Sequence, residues 1–538
     1  MRRNSFLSLN GEWDFSVTDK SGKVDSAKIL VPFPPESALS GYEKEIAPGA
    51  VMQYKRRFVL PEGFLLERFL IHFGAVDTLC DVYLNGKLLG SHEGGYLPFF
   101  FDATDKLSAG ENELSLTVRD DLSHIYPYGK QKRARGGMWY TPVSGIWQTV
   151  WAESVPENRI EKIKISSDMK SVHLEVIGGE EEKLILLGDK EYRFTGSEFT
   201  ISPENPTLWS PENPYIYDFK LCSGKDTVES YFALREIGVK TVNGKARLTL
   251  NGEPYLFNGL LDQGYFPDGI FLPATSEGYR EDIVTAKKLG FNVLRKHIKV
   301  EPEIFYYLCD RLGMVVFQDM VNNSGYSFFL DTALPTIGCK RLPDNLRHRN
   351  KTSRKIFIEH ALATVEHLSR FPSVLYYTVF NEGWGQFSAD EAYKIIKSAD
   401  PTKIVDATSG WFVRKESDVD SRHVYFKPVK IGKLTARPLV ISEFGGYSHR
   451  VDGHLFGREN YGYRMFDKRE EFEEAFISLY ENEILPGVKD GISALVYTQI
   501  SDVEDETNGL ITYDRMETKV DISRCYATMK RLFDAVKE

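Results

Sequence analysis

Apolar and polar positions keep one rhythm in the first part of the chain and another in the rest. Up to about residue 155 apolar positions recur every second residue, in short runs broken by turns. Leu9-Asn10-Gly11-Glu12-Trp13-Asp14-Phe15 alternates out of a turn, and Leu114, Leu116 and Val118 share one face of Glu113–Asp120. Val82–Gly90 reads as a hairpin in which Asn85-Gly86 supplies a two-residue turn. Many short strands with frequent turns predict a β jelly-roll sandwich over residues 1–155, closed by Gly145–Trp151. Residues 156–240 continue as strands at Ser171–Ile177, Lys183–Leu187, Glu198–Ile201, Tyr215–Cys222 and Asp226–Phe232, around a proline-rich crossing from Pro203 to Pro214. They predict a small immunoglobulin-like β-sandwich of scaffold type, without a Cys-Trp-Cys signature.

From about residue 241 apolar strands alternate with helical segments. Tyr255–Leu261 precedes the helical Glu277–Leu289, Asn292–Lys296 precedes Pro302–Leu312, and Met314–Met320 precedes Lys351–Arg370. Val374–Phe380 and Ala389–Ala399 follow, then Lys403–Ala407, His423–Phe426, Leu439–Ser442 with Arg469–Asn482, and Ile492–Thr498 with Arg524–Val536. Eight strands, most followed by a helix, predict a (β/α)8 TIM barrel over residues 241–538. Two connections, Val321–Asn350 and Phe444–Lys468, are longer than ordinary barrel loops. Tyr326, Phe328, Phe329, His449, His454 and Arg458 on them are candidate walls of a pocket, which would favour attack at the end of a sugar chain; surface elaboration accounts for them equally well.

Composition narrows the function. A length of 538 residues calls for several domains, and 42% hydrophobic with 27% charged residues is the balance of a soluble globular protein. The formal charge of −10 argues against a nucleic-acid partner, which requires a basic footprint. The basic run Lys130-Gln131-Lys132-Arg133-Ala134-Arg135 lies between strands and reads as a solvated loop. No apolar stretch is long enough to span a membrane, and no apolar signal core follows Met1-Arg2-Arg3. Five widely spaced cysteines without a Cys-x-x-Cys pair fit reduced thiols in a cytoplasm. No cofactor and no metal site is expected, since no His/Asp/Glu cluster has catalytic metal spacing and His360 with His367 reads as an ordinary helix face. A homo-oligomer is permitted but not required.

The candidate chemistry lies at the strand ends, which converge on one mouth in such a barrel. They carry Asp262-Gln263, Arg295, His297, Asp319, Asn381-Glu382, Trp411, His423, Tyr425, Glu443 and the segment from Gln499 to Asp502. The run Val374–Phe380 ends in Asn381-Glu382-Gly383-Trp384, and Leu439-Val440-Ile441 ends in Ser442-Glu443-Phe444-Gly445-Gly446. Two glutamates on two buried strand tips suit glycosidic cleavage, which needs a proton donor and an ionised carboxylate. Apolar Phe380 and Trp384 would raise Glu382 for the acid role. Tyr425 and Arg295 would keep Glu443 ionised, and Asn381 would bind the hydroxyl beside the reacting carbon. Salt-bridged structural acids are the alternative for either glutamate taken singly.

The chain resembles glycoside hydrolase family 2, the family of β-galactosidases, β-glucuronidases and β-mannosidases. LNGEWDF and VYLNGKLLGSHEGGYLPF resemble its N-terminal jelly roll, SGIWQTVW that domain's exit, and FNEGWG and SEFGG its acid/base and nucleophile motifs. The resemblance implies Glu382 as acid/base, Glu443 as nucleophile, retention of configuration and a small carbohydrate or glycoside as substrate. Asp262, Arg295, His297, Asp319, Asn381, Trp384, Trp411, Tyr425 and Glu504 would contact that substrate. The acidic segment Asp502–Gly509 lacks the Asn-x-Lys pair of β-glucuronidases, which favours a neutral sugar of the β-galactoside type. The variant LDQGYFPDG leaves α-L-arabinosidase and β-galactofuranosidase activity open, and a non-catalytic sugar-binding scaffold is the reading from another class.

Overall fold

The structure is a computed structural model and describes residues 1–336, 344 and 348–537. Cys339 and part of the connection 321–350 lie outside the described residues; Cys80, Cys222, Cys309 and Cys525 are free thiols.

Two antiparallel sheets form the N-terminal sandwich. One has four strands in the order Phe6–Ser8, Val150–Val155, Arg68–Phe73, Phe99–Asp102. The other has six, in the order Val24–Val31, Gly11–Thr18, Val51–Val59, Glu111–Arg119, Leu79–Leu84, Lys87–Glu93. Alternate side chains meet between the sheets in a core built on Trp13, Phe15, Tyr54, Phe69, Ile71, Leu114 and Leu116. Asn85 and Gly86, both at positive φ, make the expected hairpin turn. A smaller sandwich follows, with three strands (Ile160–Ser167, Val172–Gly178, Glu198–Ile201) against four (Lys190–Thr195, Glu182–Leu187, Tyr217–Ser223, Asp226–Phe232). Ile160–Ser167 and Lys190–Thr195 are not evident from the sequence: a register shift after Ile160 interrupts the alternation of the first, and the second offers only Tyr192 and Phe194 as inward apolar residues.

The barrel strands are β1 (Phe257–Asp262), β2 (Val293–Lys296), β3 (Val315–Asp319), β4 (Val374–Asn381), β5 (Ile404–Ser409), β6 (Asp420–Val424), β7 (Leu439–Gly445) and β8 (Ile492–Thr498). They pair in parallel in the order β5-β4-β3-β2-β1-β8-β7-β6, and β5 and β6 close the ring side by side. β1 to β5 and β8 are buried at every residue, so their apolar runs lack alternation. Inward residues (Leu261, Val293, Val315, Phe317, Val440, Val496) pack on Leu248 and Leu250 of a small sheet spanning 237–254 that plugs the lower end. Outward residues (Leu260, Leu294, Val316) pack under the helices. The jelly roll leans on the barrel mouth, where Tyr96, Tyr128, Trp139, Tyr140 and Trp147 share one cluster with Tyr265, Phe271, Ile298 and Trp384. Among the described residues no helix is long and apolar enough to cross a membrane.

Candidate active site

Arg295 is the hub of the mouth. It stands on β2 in register with Leu261 and Phe317, so it points inward, and it is 1% exposed. Its Nε donates to Asp319 Oδ1 (2.9 Å) and its Nη2 to Asn381 Oδ1 (2.9 Å). Its Nη1 donates to the Ser442 carbonyl (2.9 Å) and to Glu443 Oε1 (3.2 Å). One guanidinium therefore fixes the tips of β3, β4 and β7, using its fork of donors. Burial pushes Asp319 up, but Arg295 and His297 outweigh it and hold this carboxyl below its usual range. Burial pushes His297 down to about 4, so the ring is neutral. Its Nδ1 lies 2.6 Å from Asp319 Oδ2, an atom that only accepts, which assigns the ring proton to Nδ1.

The two glutamates share this cavity. Glu382 follows β4 in a left-handed conformation (φ +52°), pinned by its amide donating to the Ser409 carbonyl at 2.9 Å. A non-glycine residue held there is strained, as active-site residues often are. Glu443 sits where the pairing of β7 with β8 breaks register between Ile441 and Phe444. The Tyr425 hydroxyl donates to Glu443 Oε2 at 2.7 Å, and the Tyr425 ring stacks on Tyr463 at 4.1 Å. His423 Nδ1 lies 2.9 Å from Glu382 Oε1 and 3.6 Å from Glu443 Oε2, and its Nε2 lies 3.0 Å from Ser409 Oγ. One donor atom from each of Glu382, His423 and Glu443 falls within 4.8 Å of the others. A divalent cation tolerates that spacing, but Arg295 already supplies positive charge there. Burial alone would raise the Glu443 carboxyl; His423 and Arg295, together with the Tyr425 hydrogen bond, hold it far below the usual carboxylate range.

Asn381, Arg295, His297, Asp319, Tyr425 and Glu443 form one network, with Glu382 joined to it through His423. Trp411 is half-buried, with its ring 6.2 Å from His423. Trp384 is 3% exposed and backs the Glu382 turn, its ring edge-on to Trp139 (5.1 Å) and Tyr128 (5.6 Å) of the jelly roll. Tyr326, on the long connection after β3, joins that wall against Trp139 at 4.9 Å. Two expected contacts are turned elsewhere. Asp262 alternates with inward Leu261 and faces the helix layer, where Lys296 Nζ donates to its Oδ2 at 2.7 Å and the Gly264 amide to its Oδ1 at 2.8 Å. Glu504 accepts from the Thr141 amide at 2.8 Å and lies 3.6 Å from Arg135, tying the barrel to the jelly roll. The central place of His423 between the glutamates was not read from the sequence. Nor were the jelly-roll residues Trp139 and Tyr140, which lie more than 200 positions from the motifs they support. A cavity of about 820 Å³ lies elsewhere, lined by Lys162, Glu303, His367 and Arg370, away from the glutamate pair.

Three family models match the chain. Residues 242–520 match "Glycosyl hydrolases family 2, TIM barrel domain", 151–235 match "Glycosyl hydrolases family 2", and 42–148 match "Glycosyl hydrolase 2 galactose-binding domain-like". A β-galactosidase of Thermoanaerobacter pseudethanolicus is 27% identical over 58% of this chain and 44% of its own. One of Leuconostoc mesenteroides is 24% identical over 87% of this chain and 50% of its own. The chain thus spans about half the length of the curated relatives it matches. A solved β-D-glucuronidase structure from Dictyoglomus thermophilum superposes with a TM-score of 0.76 at 17% identity, covering 99% of this chain and 98% of that one, a likeness of fold.

Proposed function

The chain belongs to glycosyl hydrolase family 2, and from that premise we propose that it is a retaining exo-glycosidase acting on terminal neutral sugars, β-galactosides first, by double displacement. Glu443 attacks the anomeric carbon while the bond to the leaving oxygen breaks, and that oxygen takes the proton of Glu382. The sugar is then held as an ester of Glu443. Glu382, now a carboxylate, takes a proton from water as the water oxygen attacks the anomeric carbon; the ester bond breaks and both groups return to their starting states. Arg295 and Tyr425 stabilise Glu443 as the anion that attacks and later leaves. Asn381, oriented by Arg295, is placed for the hydroxyl next to the reacting carbon. His423 positions Glu382.

The observation that carries this reading is the approach of an oxygen of Glu382 to one of Glu443 within 4.8 Å. Retaining pairs stand about 5–5.5 Å apart, whereas inverting pairs leave roughly 6.5–9.5 Å for a water. The preference for a neutral sugar is supported by Glu506, a buried carboxyl close enough to Glu443 to feel its charge and without an ion pair among the described residues, beside which an anionic sugar would meet like charge. The test is a panel of nitrophenyl glycosides that includes β-galactoside, β-galactofuranoside, α-L-arabinoside and β-glucuronide, with Glu443→Gln as control. Turnover of a neutral glycoside, loss of about 10⁴-fold or more in Glu443→Gln, and labelling of Glu443 by a 2-fluoro sugar are expected. Label on another residue, or release of the inverted anomer, defeats the assignment.

A further inference from the structure

The basic run that begins at Lys130 does not behave as a plain solvated loop. The chain just before it crosses the barrel mouth, where the amides of Tyr128 and Gly129 donate to the Asn322 carbonyl at 3.0 and 3.3 Å. A Cβ on Gly129 would stand 2.8 Å from the carbonyl oxygen of Ile298, the residue after His297. On its other side the Lys130 carbonyl accepts from the Tyr140 amide at 3.1 Å. The Tyr140 hydroxyl in turn donates to Glu506 Oε2 at 2.5 Å, and Gln499 Nε2 donates to the same oxygen at 2.9 Å. Lys130 is therefore held between the His297 tip of the barrel and the Glu506 wall.

Lys130 is half-buried, and its Nζ makes no hydrogen bond or ion pair among the described residues. Its charge reaches both Glu506 and His297. Neighbouring cations are engaged: Arg295 with Asp319 and Glu443, Lys519 with Asp502 at 2.6 Å, and Arg135 beside Glu504 at 3.6 Å. Glu506 Oε1 accepts no hydrogen bond among the described residues, whereas Oε2 takes two. Holding a half-buried lysine and a buried carboxyl near each other without pairing them is costly unless a ligand joins them.

We propose that Lys130 is a sugar-recognition residue, brought to the barrel mouth by the jelly roll, which with Glu506 holds two adjacent hydroxyls of the terminal sugar. Each hydroxyl both donates and accepts, an ammonium only donates and a carboxylate only accepts, so the pair matches a diol. A sugar carboxylate would instead bring a second negative group beside Glu506. The inference rests on the glycosidase reading and makes the sandwich domain part of the substrate site.

The test compares wild type, Lys130→Met and Glu506→Gln on the best nitrophenyl glycoside of the panel and on its monodeoxy analogues. Each substitution is expected to raise KM about 10–100-fold, the loss of one hydrogen bond to a charged group, with kcat changed less than about threefold. Removing the contacted hydroxyl should cost wild type a similar factor and Lys130→Met little more, since the same contact cannot be lost twice. Lys130→Arg should recover part of the loss. Wild-type KM in Lys130→Met, or an equal penalty against every deoxy sugar, overturns the proposal; a penalty confined to a β-glucuronide overturns the diol in favour of a carboxylate. Calorimetric titration of D-galactose into Glu443→Gln, with and without Lys130→Met, reads recognition independently of turnover. Lys130-dependent binding in a protein that hydrolyses no glycoside would sink the glycosidase reading and leave this one standing.

Discussion

Glu443 carries a negative charge that its burial opposes, and the groups around it explain why it keeps that charge. A desolvated carboxylate is stable only where donors and cations replace water, and His423, Arg295 and the Tyr425 hydroxyl do so. A carboxyl depressed in the fold favours the native state above its unfolded value near 4.5, and that contribution is lost as the pH falls towards the native value. The acidic limb of kcat/KM should therefore lie below the usual carboxylate range. Tyr425→Phe removes the 2.7 Å donor. It should move that limb up by about 0.5–1 pH unit and lower kcat about 10-fold, as read from a pH–rate profile. An unmoved limb would mean that Tyr425 does not hold the charge of Glu443.

At the scale of the element, the alternation of β1 and β2 divides the polar tips between two faces. Leu261 and Arg295 point into the barrel; Asp262 and Lys296, one residue further along, point at the helices. There Lys296 Nζ bridges Asp262 and Glu301, Lys299 Nζ also reaches Glu301 at 2.9 Å, and the Tyr279 hydroxyl donates to Glu301 at 2.8 Å. This buried ion network serves the wall and lies outside the reaction path. Asp262→Asn should thus lower stability by about 1–3 kcal/mol in urea unfolding while leaving kcat within about threefold. A loss of activity as large as that of Glu443→Gln would return Asp262 to the substrate site. The strand order was readable from apolar runs. Which tip residue faces the sugar was not, because a shift of one residue exchanges the faces.

For the whole molecule, the sandwich and the barrel share one polar and aromatic seam. Gln131, next to Lys130, donates to Asp77 Oδ2 at 3.3 Å inside the jelly roll. Burial, with the nearby Asp120, pushes Asp77 up to about 8, so it stays protonated in the fold at neutral pH. A carboxyl raised in this way stabilises most below its unfolded value near 3.8, and the benefit is lost as the pH climbs through about 8. The jelly roll should melt at a lower temperature at pH 9 than at pH 6 in a fluorescence-monitored unfolding scan, and Asp77→Asn should flatten the difference. An unchanged melting temperature in wild type would show that Asp77 does not titrate in that window. What the sequence by itself determined was local or strictly periodic: strand alternation in residues 1–155, the eight apolar runs after residue 241, the Asn85-Gly86 turn, and the two short motifs ending in Glu382 and Glu443. Period and turn chemistry are written in neighbouring residues, so they survive without coordinates. Only the tertiary structure decided that Arg295 joins three strand tips, that His423 stands between the glutamates, that Asp262 turns away, and that Trp139, Tyr140 and Lys130 of the first domain border the mouth of the last. Those are contacts between residues far apart in sequence, fixed by barrel closure and domain packing, and no local pattern encodes them.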